Sequence, residues 1–145
     1  MPANLEDAII LAATLHKGQV DKGGQPYILH PLRVMFRLRS ERARIVGVLH
    51  DVLEDCDITP ADLRAKGYDD KVIEALDYLT KRPEEESDYN AFIMRVATGP
   101  ELAKQVKIAD LEENMDLSRI DRTSEADLLR VQKYKRAVAT LKVGF

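Results

Sequence analysis

The sequence predicts an all-α fold, a helical bundle of about seven to nine helices. Apolar residues recur at spacings of three and four along most of the chain, and glycines and prolines separate the periodic segments. No stretch alternates polar and apolar residues as a half-buried strand would. The 145 residues, 45% of them hydrophobic, suffice to bury one core without disulfides. We therefore expect residues 1–145 to form a single domain.

Composition and charge argue against several kinds of partner. The chain has 22 basic and 25 acidic residues, so it lacks the cationic excess typical of nucleic-acid binders. No apolar stretch approaches the roughly 18 residues needed to cross a bilayer, and the N-terminus does not resemble a secretory signal. The single Cys56 excludes an intramolecular disulfide, and its acidic neighbours should raise its pKa. We expect a cytoplasmic protein without nucleic-acid or membrane partners; its oligomeric state stays open.

The first two helices flank a glycine-rich loop. Apolar residues and His16 recur on one face of a helix over residues 5–17, and we interpret His16 as a core histidine rather than a ligand. Residues 18–27, with three glycines and a proline, form a loop of the kind that often lines a site. Pro31 is expected in the first position of the second helix, which leaves His30 at or next to the N-cap. The residues expected on its buried face are Leu32, Met35, Phe36 and Leu38.

A third helix is predicted to start at Ser40 and to continue through the apolar run of residues 46–55. Its apolar residues wrap most of the way round, which is typical of a helix in the centre of a bundle. The fourth helix should start with Thr59 as N-cap, followed by Pro60, and end at Gly67.

The second half of the chain continues the helical pattern. Further helices are expected over residues 71–80, 89–97 and 101–115. Residues 82–87 should form a solvated loop whose Ser87 caps the next helix. Residues 117–123 are polar and irregular, and Ser124 with Asp127 resembles the capping box of a last helix to Leu141.

One histidine and three carboxylates end the apolar run of residues 46–55: His50, Asp51, Glu54 and Asp55. Burying each of these groups without a partner costs several kcal/mol, so a core helix has no packing reason to carry them. A bound metal cation would compensate their charge. The sequence therefore predicts a metal site at the end of this run.

Two more residues complete the candidate ligand set, namely His30 at a helix entrance and Asp110 on a late helix. Two imidazoles with the carboxylates of Asp51 and Asp110 suit manganese, iron or zinc better than calcium. Such an ion with open positions can acidify water and polarise a phosphoryl oxygen, which is the chemistry of phosphate ester hydrolysis. Glu54 and Asp55 would then orient or deprotonate the water.

Together these motifs resemble those of the HD-domain phosphohydrolases, in particular the alarmone hydrolase domain of the RelA/SpoT group and its small stand-alone members. The resemblance covers roughly residues 5–117. The matching segments are His16-Lys17-Gly18-Gln19, Lys22-x-Gly24-x-Pro26-Tyr27-Ile28-x-His30-Pro31, Leu49-His50-Asp51-Val52-x-Glu54-Asp55, Asp57-Ile58-Thr59, Leu79-Thr80-Lys81 and Lys107-x-Ala109-Asp110-x-x-x-Asn114.

The resemblance implies an activity and a role for each matching residue. The reaction would be removal of the 3′-pyrophosphate from guanosine tetra- or pentaphosphate, although some small members remove the 2′-phosphate of NADPH. One divalent ion, usually manganese, would be bound by His30, His50, Asp51 and Asp110. Water activation would fall to Glu54 and Asp55, and substrate binding to Lys22, Tyr27 and Asn114. Within 145 residues we expect no room for the synthetase and regulatory domains of the long members.

The chain departs from the family pattern near the expected substrate. Asp21 stands where a basic residue usually precedes the loop lysine, and an acid there repels phosphates and cannot stack on a purine as a guanidinium does. Leu111 replaces an arginine, and Glu112 and Glu113 replace a hydrophobic-histidine pair. The metal set is intact while the substrate set is altered. Hydrolysis of another nucleotide, a non-catalytic nucleotide-binding regulatory module and a purely structural helical protein therefore remain as alternatives.

Overall fold

The computed structural model describes residues 2–116 and 124–143, and these residues confirm the all-α prediction. Within them the only β pairing is an isolated bridge between Val20 and Pro26. The segment 117–123, predicted to be irregular, lies outside the described residues. The described helices are α1 (Leu5–Leu15), α2 (Leu29–Phe36), α3 (Glu41–Leu49), α4 (Val52–Asp55), α5 (Pro60–Ala65), α6 (Asp70–Tyr78), α7 (Tyr89–Ala97), α8 (Glu101–Asn114) and α9 (Glu125–Lys142), with a 3-10 turn at Pro83–Glu85.

Short polar side chains begin most of these helices, as local capping requires. The predicted N-caps Thr59 and Ser124 are confirmed, because each side-chain oxygen accepts a backbone N–H from the first turn. Ser40, where the third helix was predicted to start, caps α3 in the same way. The prediction of Ser87 is wrong. Asp88 caps α7 instead, since its carboxylate accepts the Ala91 N–H at 3.0 Å.

Helix α2 begins earlier than predicted. Its N-cap is Ile28, so His30 and Pro31 are the second and third helical residues, and the prediction of Pro31 in the first position is wrong. Phe36 was expected in the core but is 72% exposed. The inward face of α2 is formed by Val34 and Met35, and Phe36, the last helical residue, lies outside it.

The apolar run of residues 46–55 forms two helices rather than the predicted single one. Helix α3 ends at Leu49 and α4 begins at Val52, so His50 and Asp51 occupy the break. The imidazole of His50 donates through Nδ1 to the Gly47 carbonyl at 2.7 Å, which satisfies one of the carbonyl groups left free by the helix end. The break therefore allows two adjacent polar side chains to face one site.

The core lies around α3, whose residues Val46, Val48 and Leu49 are fully buried. This helix contacts α1, α2, α6 and α8, as predicted for a central helix, and α9 covers α7 and α8. Helix α2 packs on both α3 and α8, and this arrangement brings three distant parts of the chain together. None of the described helices is both long and apolar enough to cross a membrane.

The segment 82–87 is more ordered than the predicted solvated loop. Glu85 is 5% exposed and accepts hydrogen bonds from Arg95 at 2.8 and 3.0 Å. Arg95 also donates to the Thr80 carbonyl at 2.9 Å. This buried ion pair fixes the connection between α6 and α7.

Candidate metal and nucleotide site

The four predicted metal ligands meet where α2, the break between α3 and α4, and α8 converge. His30 Nε2 lies 2.9 Å from Asp110 Oδ1, and His50 Nε2 lies 3.4 Å from the same oxygen. His50 Nε2 is also 3.1 Å from Asp51 Oδ2. Ligand atoms of His30, His50 and Asp51 all lie within 4.8 Å of one another. Four residues separated by up to 80 positions therefore share one small volume.

The orientation of His50 suits a metal ligand. Its Nδ1 is engaged by the Gly47 carbonyl, so its Nε2 is the atom that faces the carboxylates. That buried Nε2 has no hydrogen bond of acceptable geometry. A backbone carbonyl on one ring nitrogen is the usual arrangement that fixes the tautomer of a metal-binding histidine. The buried Nε2, which faces the carboxylates of Asp51 and Asp110 without a well-aligned hydrogen bond, is therefore the atom that would bind a cation.

The charges of the site also fit a cation. Burial opposes ionisation of Asp51, yet the neighbouring His50 and the hydroxyl of Tyr27 hold its pKa at about 2. Burial likewise opposes ionisation of Asp110, but Lys107 and the two histidines lower its pKa well below the usual range. Their neighbours thus favour the ionised form of both carboxylates despite burial. Buried carboxylates of this kind are held in place by cations or coordinate metals.

Asp110 is held by two further side chains of α8. Lys107 Nζ lies 2.9 Å from Asp110 Oδ2, and Asn114 Nδ2 donates to Asp110 Oδ1 at 3.2 Å. These residues lie three positions before and four after Asp110, so all three share one helix face. Asn114, predicted to bind substrate, therefore also orients a candidate ligand.

Tyr27 lies beside the candidate ligands and does not line the cleft that opens next to them. Its hydroxyl donates to Asp51 Oδ2. Its ring packs against His16 and His30, with centroids 5.0 and 5.8 Å away. Tyr27 therefore contacts the expected metal ligands directly, a relation that the sequence did not predict.

Glu54 and Asp55, the predicted water-activating pair, extend from α4 near this cluster. Partial desolvation and the charge of Asp51 raise the pKa of both carboxyl groups, and a raised pKa makes a carboxylate a better proton acceptor. The two differ in position. Glu54 lines the pocket beside the cluster, whereas Asp55 does not.

A cleft of about 170 Å³ opens beside His50, Asp51 and Asp110. Ligand pockets for whole drug-sized molecules usually measure about 300–1,000 Å³, so this space suits a phosphate group better than a complete nucleotide. Two lysines, Lys81 and Lys107, line it and supply positive charge. Its remaining lining includes Asn114 and the aromatic residues Tyr89, Phe92 and Tyr134.

The sequence interpretation did not assign these lysines and aromatic residues to the site. Both lysines lie within the quoted motifs Leu79-Thr80-Lys81 and Lys107-x-Ala109-Asp110, so their spacing was a usable signal. The aromatic residues carried no such signal. Tyr89 and Tyr134 lie on helices far apart in sequence, and their ring centroids come within 6.3 Å of each other only in the fold.

Other predicted residues lie apart from this cleft. Lys22 is exposed and does not line it. Asp21 organises its own loop, because its Oδ1 accepts the N–H groups of Gly23 and Gln25, both at 2.9 Å. His16 is 1% exposed and its Nδ1 lies 2.8 Å from Gln19 Oε1, which confirms the interpretation of a core histidine. Burial raises the pKa of the Cys56 thiol, and Asp55 adds to the shift, in the predicted direction.

Comparison with known proteins confirms the predicted resemblance in both sequence and fold. No protein-family model matches the chain. It is 37% identical over 78 residues to a guanosine-3′,5′-bis(diphosphate) 3′-pyrophosphohydrolase of Borreliella burgdorferi, a match that covers 51% of this chain and 12% of that protein. It is 31% identical over 142 residues to a GTP pyrophosphokinase of Myxococcus xanthus, a match that covers 88% of this chain and 18% of that protein.

A solved structure shares the fold over nearly the whole length. It belongs to a metazoan ortholog of SpoT described as hydrolysing ppGpp, and it covers 97% of this chain and 93% of its own, with a TM-score of 0.71 and 21% identity. The chain thus has the helical fold of a ppGpp hydrolase. By contrast, it spans less than a fifth of the length of each of the two curated relatives named above.

Proposed function

We propose that residues 1–145 form one HD-type phosphohydrolase domain that uses a divalent metal ion to remove the 3′-pyrophosphate of guanosine 3′,5′-bis(diphosphate). The observation that carries this proposal is the meeting of two histidines and two carboxylates beside a cleft lined by lysines. The names and fold of the relatives support the same reaction. The products would be a nucleotide with a free 3′-hydroxyl and pyrophosphate.

Manganese is the proposed ion, with Fe²⁺ and Zn²⁺ as alternatives. Its ligands would be His30, His50, Asp51 and Asp110, a mixed nitrogen and oxygen set without thiolates. A bound divalent ion would supply Lewis acidity toward a phosphoryl oxygen and increase the acidity of water.

The remaining roles follow from charge and position. Glu54 is proposed to take the proton from the attacking water, because it is the one of the two predicted carboxylates that lines the cleft. Lys81 and Lys107 would offset the charge of the substrate phosphates. Lys22, Tyr27 and Asn114 are retained as proposed substrate contacts, and Tyr27 has the further contact with Asp51 described above.

The decisive experiment incubates the manganese-loaded protein with guanosine tetraphosphate, NADPH and simple nucleotides, and separates the products by chromatography. We expect a product with a free 3′-hydroxyl from guanosine tetraphosphate. The variant Asp51→Ala should lose both bound manganese and turnover, whereas Asp57→Ala, which changes an exposed carboxylate nearby, should retain both.

The other results of the same experiment each overturn part of the proposal. Release of phosphate from NADPH alone would replace the substrate but keep the metal-dependent hydrolysis. Thermal stabilisation by a nucleotide that is never consumed would support a non-catalytic regulatory module. Absence of both metal binding and hydrolysis would overturn the proposal entirely.

A further inference from the structure

An ion triad centred on the buried Glu113 joins α2 to α8 one turn away from the candidate metal ligands, with its two arginines partly exposed. Glu113 is 4% exposed, and its two carboxylate oxygens contact different arginines, Arg33 within α2 and Arg37 at its C-cap. Arg33 Nε lies 2.9 Å from Oε1, and Arg37 Nε lies 2.8 Å from Oε2. Glu113 therefore faces α2 and does not line the cleft, although its place in the sequence is among the departures near the expected substrate.

The triad and the metal site are successive contacts along the same helix pair. Arg33 follows His30 by three residues, and Glu113 follows Asp110 by three, so each pair shares one face of its helix. His30 and Asp110 meet at 2.9 Å in one layer, and Arg33 and Glu113 meet at 2.9 Å in the next. A change in the second layer would shift the distance between α2 and α8 and hence the ligands in the first.

We propose that Glu113, with Arg33 and Arg37, is a positioning residue that sets the separation of His30 and Asp110 for metal binding. The inference rests on the proposed metal site. It adds a determinant of metal affinity that neither His30 nor Asp110 supplies by itself. The Arg37 Nε–H donates to one carboxylate oxygen, and this charge-assisted hydrogen bond fixes direction as well as distance. The ion pair with Arg33 holds the other oxygen at 2.9 Å.

Stability alone is a weaker explanation of the triad. Buried ion pairs often contribute little net stability, because the desolvation cost offsets the attraction, and apolar residues of similar volume can replace them without loss. Breaking one partner, however, leaves charge without compensation. A single substitution should therefore lower both stability and metal affinity, whereas a complete apolar replacement should restore stability without restoring metal affinity. Comparing the two variants separates a role in folding from a role in positioning the ligands.

The test measures Mn²⁺ affinity of the metal-free full chain by calorimetry and its thermal unfolding without metal. Glu113→Gln keeps the side-chain shape and removes its charge, and we expect Mn²⁺ affinity to fall about tenfold, within the range seen when residues that support metal ligands are changed. The triple variant Arg33→Met, Arg37→Met and Glu113→Met should unfold at nearly the wild-type temperature yet show the same loss of affinity. Glu113→Asp, which keeps the negative charge, should recover part of the Mn²⁺ affinity that Glu113→Gln loses.

Glu85→Gln is the matched control, because it breaks a similarly buried glutamate–arginine pair that contacts none of the proposed ligands. It should lower the unfolding temperature and leave Mn²⁺ affinity unchanged. Wild-type affinity in the triple variant, or an equal loss of affinity in Glu85→Gln, would overturn the positioning role while leaving the proposed function intact. Failure of the wild-type protein to bind Mn²⁺ would overturn both.

Discussion

His30 Nε2 lies 2.9 Å from Asp110 Oδ1, although 80 positions separate the two residues in the chain. Helices α2 and α8 pack side by side, and this contact is one of the points where they meet. It joins the first turn of α2 to the second half of α8. The break between α3 and α4 lies next to it, because His50 Nε2 is 3.4 Å from the same Asp110 oxygen and 3.1 Å from Asp51 Oδ2. The proposed chemistry depends on this relationship.

Glu54→Gln should bind Mn²⁺ with wild-type affinity but turn over guanosine tetraphosphate about 10²–10⁴-fold more slowly, as expected when a general base is removed. The amide keeps the shape of the side chain but cannot accept the proton. Asp55→Asn should lose less, because Asp55 does not line the cleft. Initial rates at saturating substrate, with calorimetry of the metal, measure both effects. A greater loss of turnover in Asp55→Asn would assign the base to Asp55 instead.

Tyr27→Phe should weaken Mn²⁺ binding by about tenfold, because it removes the hydroxyl that donates to Asp51 and leaves the ring contacts with His16 and His30. Because the variant keeps the ring and its contacts, we expect it to fold as the wild type does. Calorimetry of Mn²⁺ binding measures it. If KM rises and metal affinity stays at the wild-type value, Tyr27 acts as a substrate contact, as the sequence resemblance implied.

Gly47→Ala should lower the free energy of unfolding by about 1 kcal/mol, although alanine is the better helix former by a similar amount. The added methyl would lie 2.7 Å from Leu38 Cδ1 and 3.4 Å from Met35 Cα, so the buried Leu38 side chain would have to shift within the packed core. Overpacking of this kind costs about 1–3 kcal/mol, which exceeds the gain in helix propensity.

Urea unfolding of Gly47→Ala, of Leu38→Ala and of the double variant tests this explanation. Leu38→Ala makes room at the point of closest contact, so Gly47→Ala should cost less in that background. Equal costs in the two backgrounds would show that the Leu38 contact is not the cause.

Glu85→Gln should lower the free energy of unfolding at pH 7 by about 2 kcal/mol, the scale of hydrogen bonds to charged groups. Hydrogen bonds from Arg95 hold the pKa of Glu85 below its ordinary value of 4.5, against the opposing effect of burial. A lowered pKa in the folded state contributes stability that is fully present above the unfolded pKa and disappears as the pH falls through the folded one. The difference between wild type and variant should therefore be constant above about pH 5 and shrink below pH 4.5.

Urea unfolding between pH 3 and pH 8 measures that difference. Asp88→Asn is a suitable comparison, because asparagine is as good an N-cap as aspartate and the carboxylate is exposed. A difference between wild type and Glu85→Gln that grows as the pH falls would contradict the assigned ion pair.

Local features were predictable where their cause is local. The N-caps Thr59 and Ser124 depend on side chains that reach their own first turn, so the sequence sufficed. The break between α3 and α4 was missed because the apolar periodicity continues across it. The His50 contact with the Gly47 carbonyl at this break leaves no trace in that periodicity. Phe36 was misassigned for a related reason: helical spacing identifies a face but not where the helix ends.

The chain by itself determined the helical fold class and the set of residues capable of binding a metal, because periodicity, capping and ligand chemistry are properties of short segments. Only the tertiary structure decided that His30 meets Asp110, that Glu54 rather than Asp55 lines the cleft, and that Glu113 turns toward α2. Those relations depend on how distant helices pack, and packing is set by the combined shape and charge of many side chains.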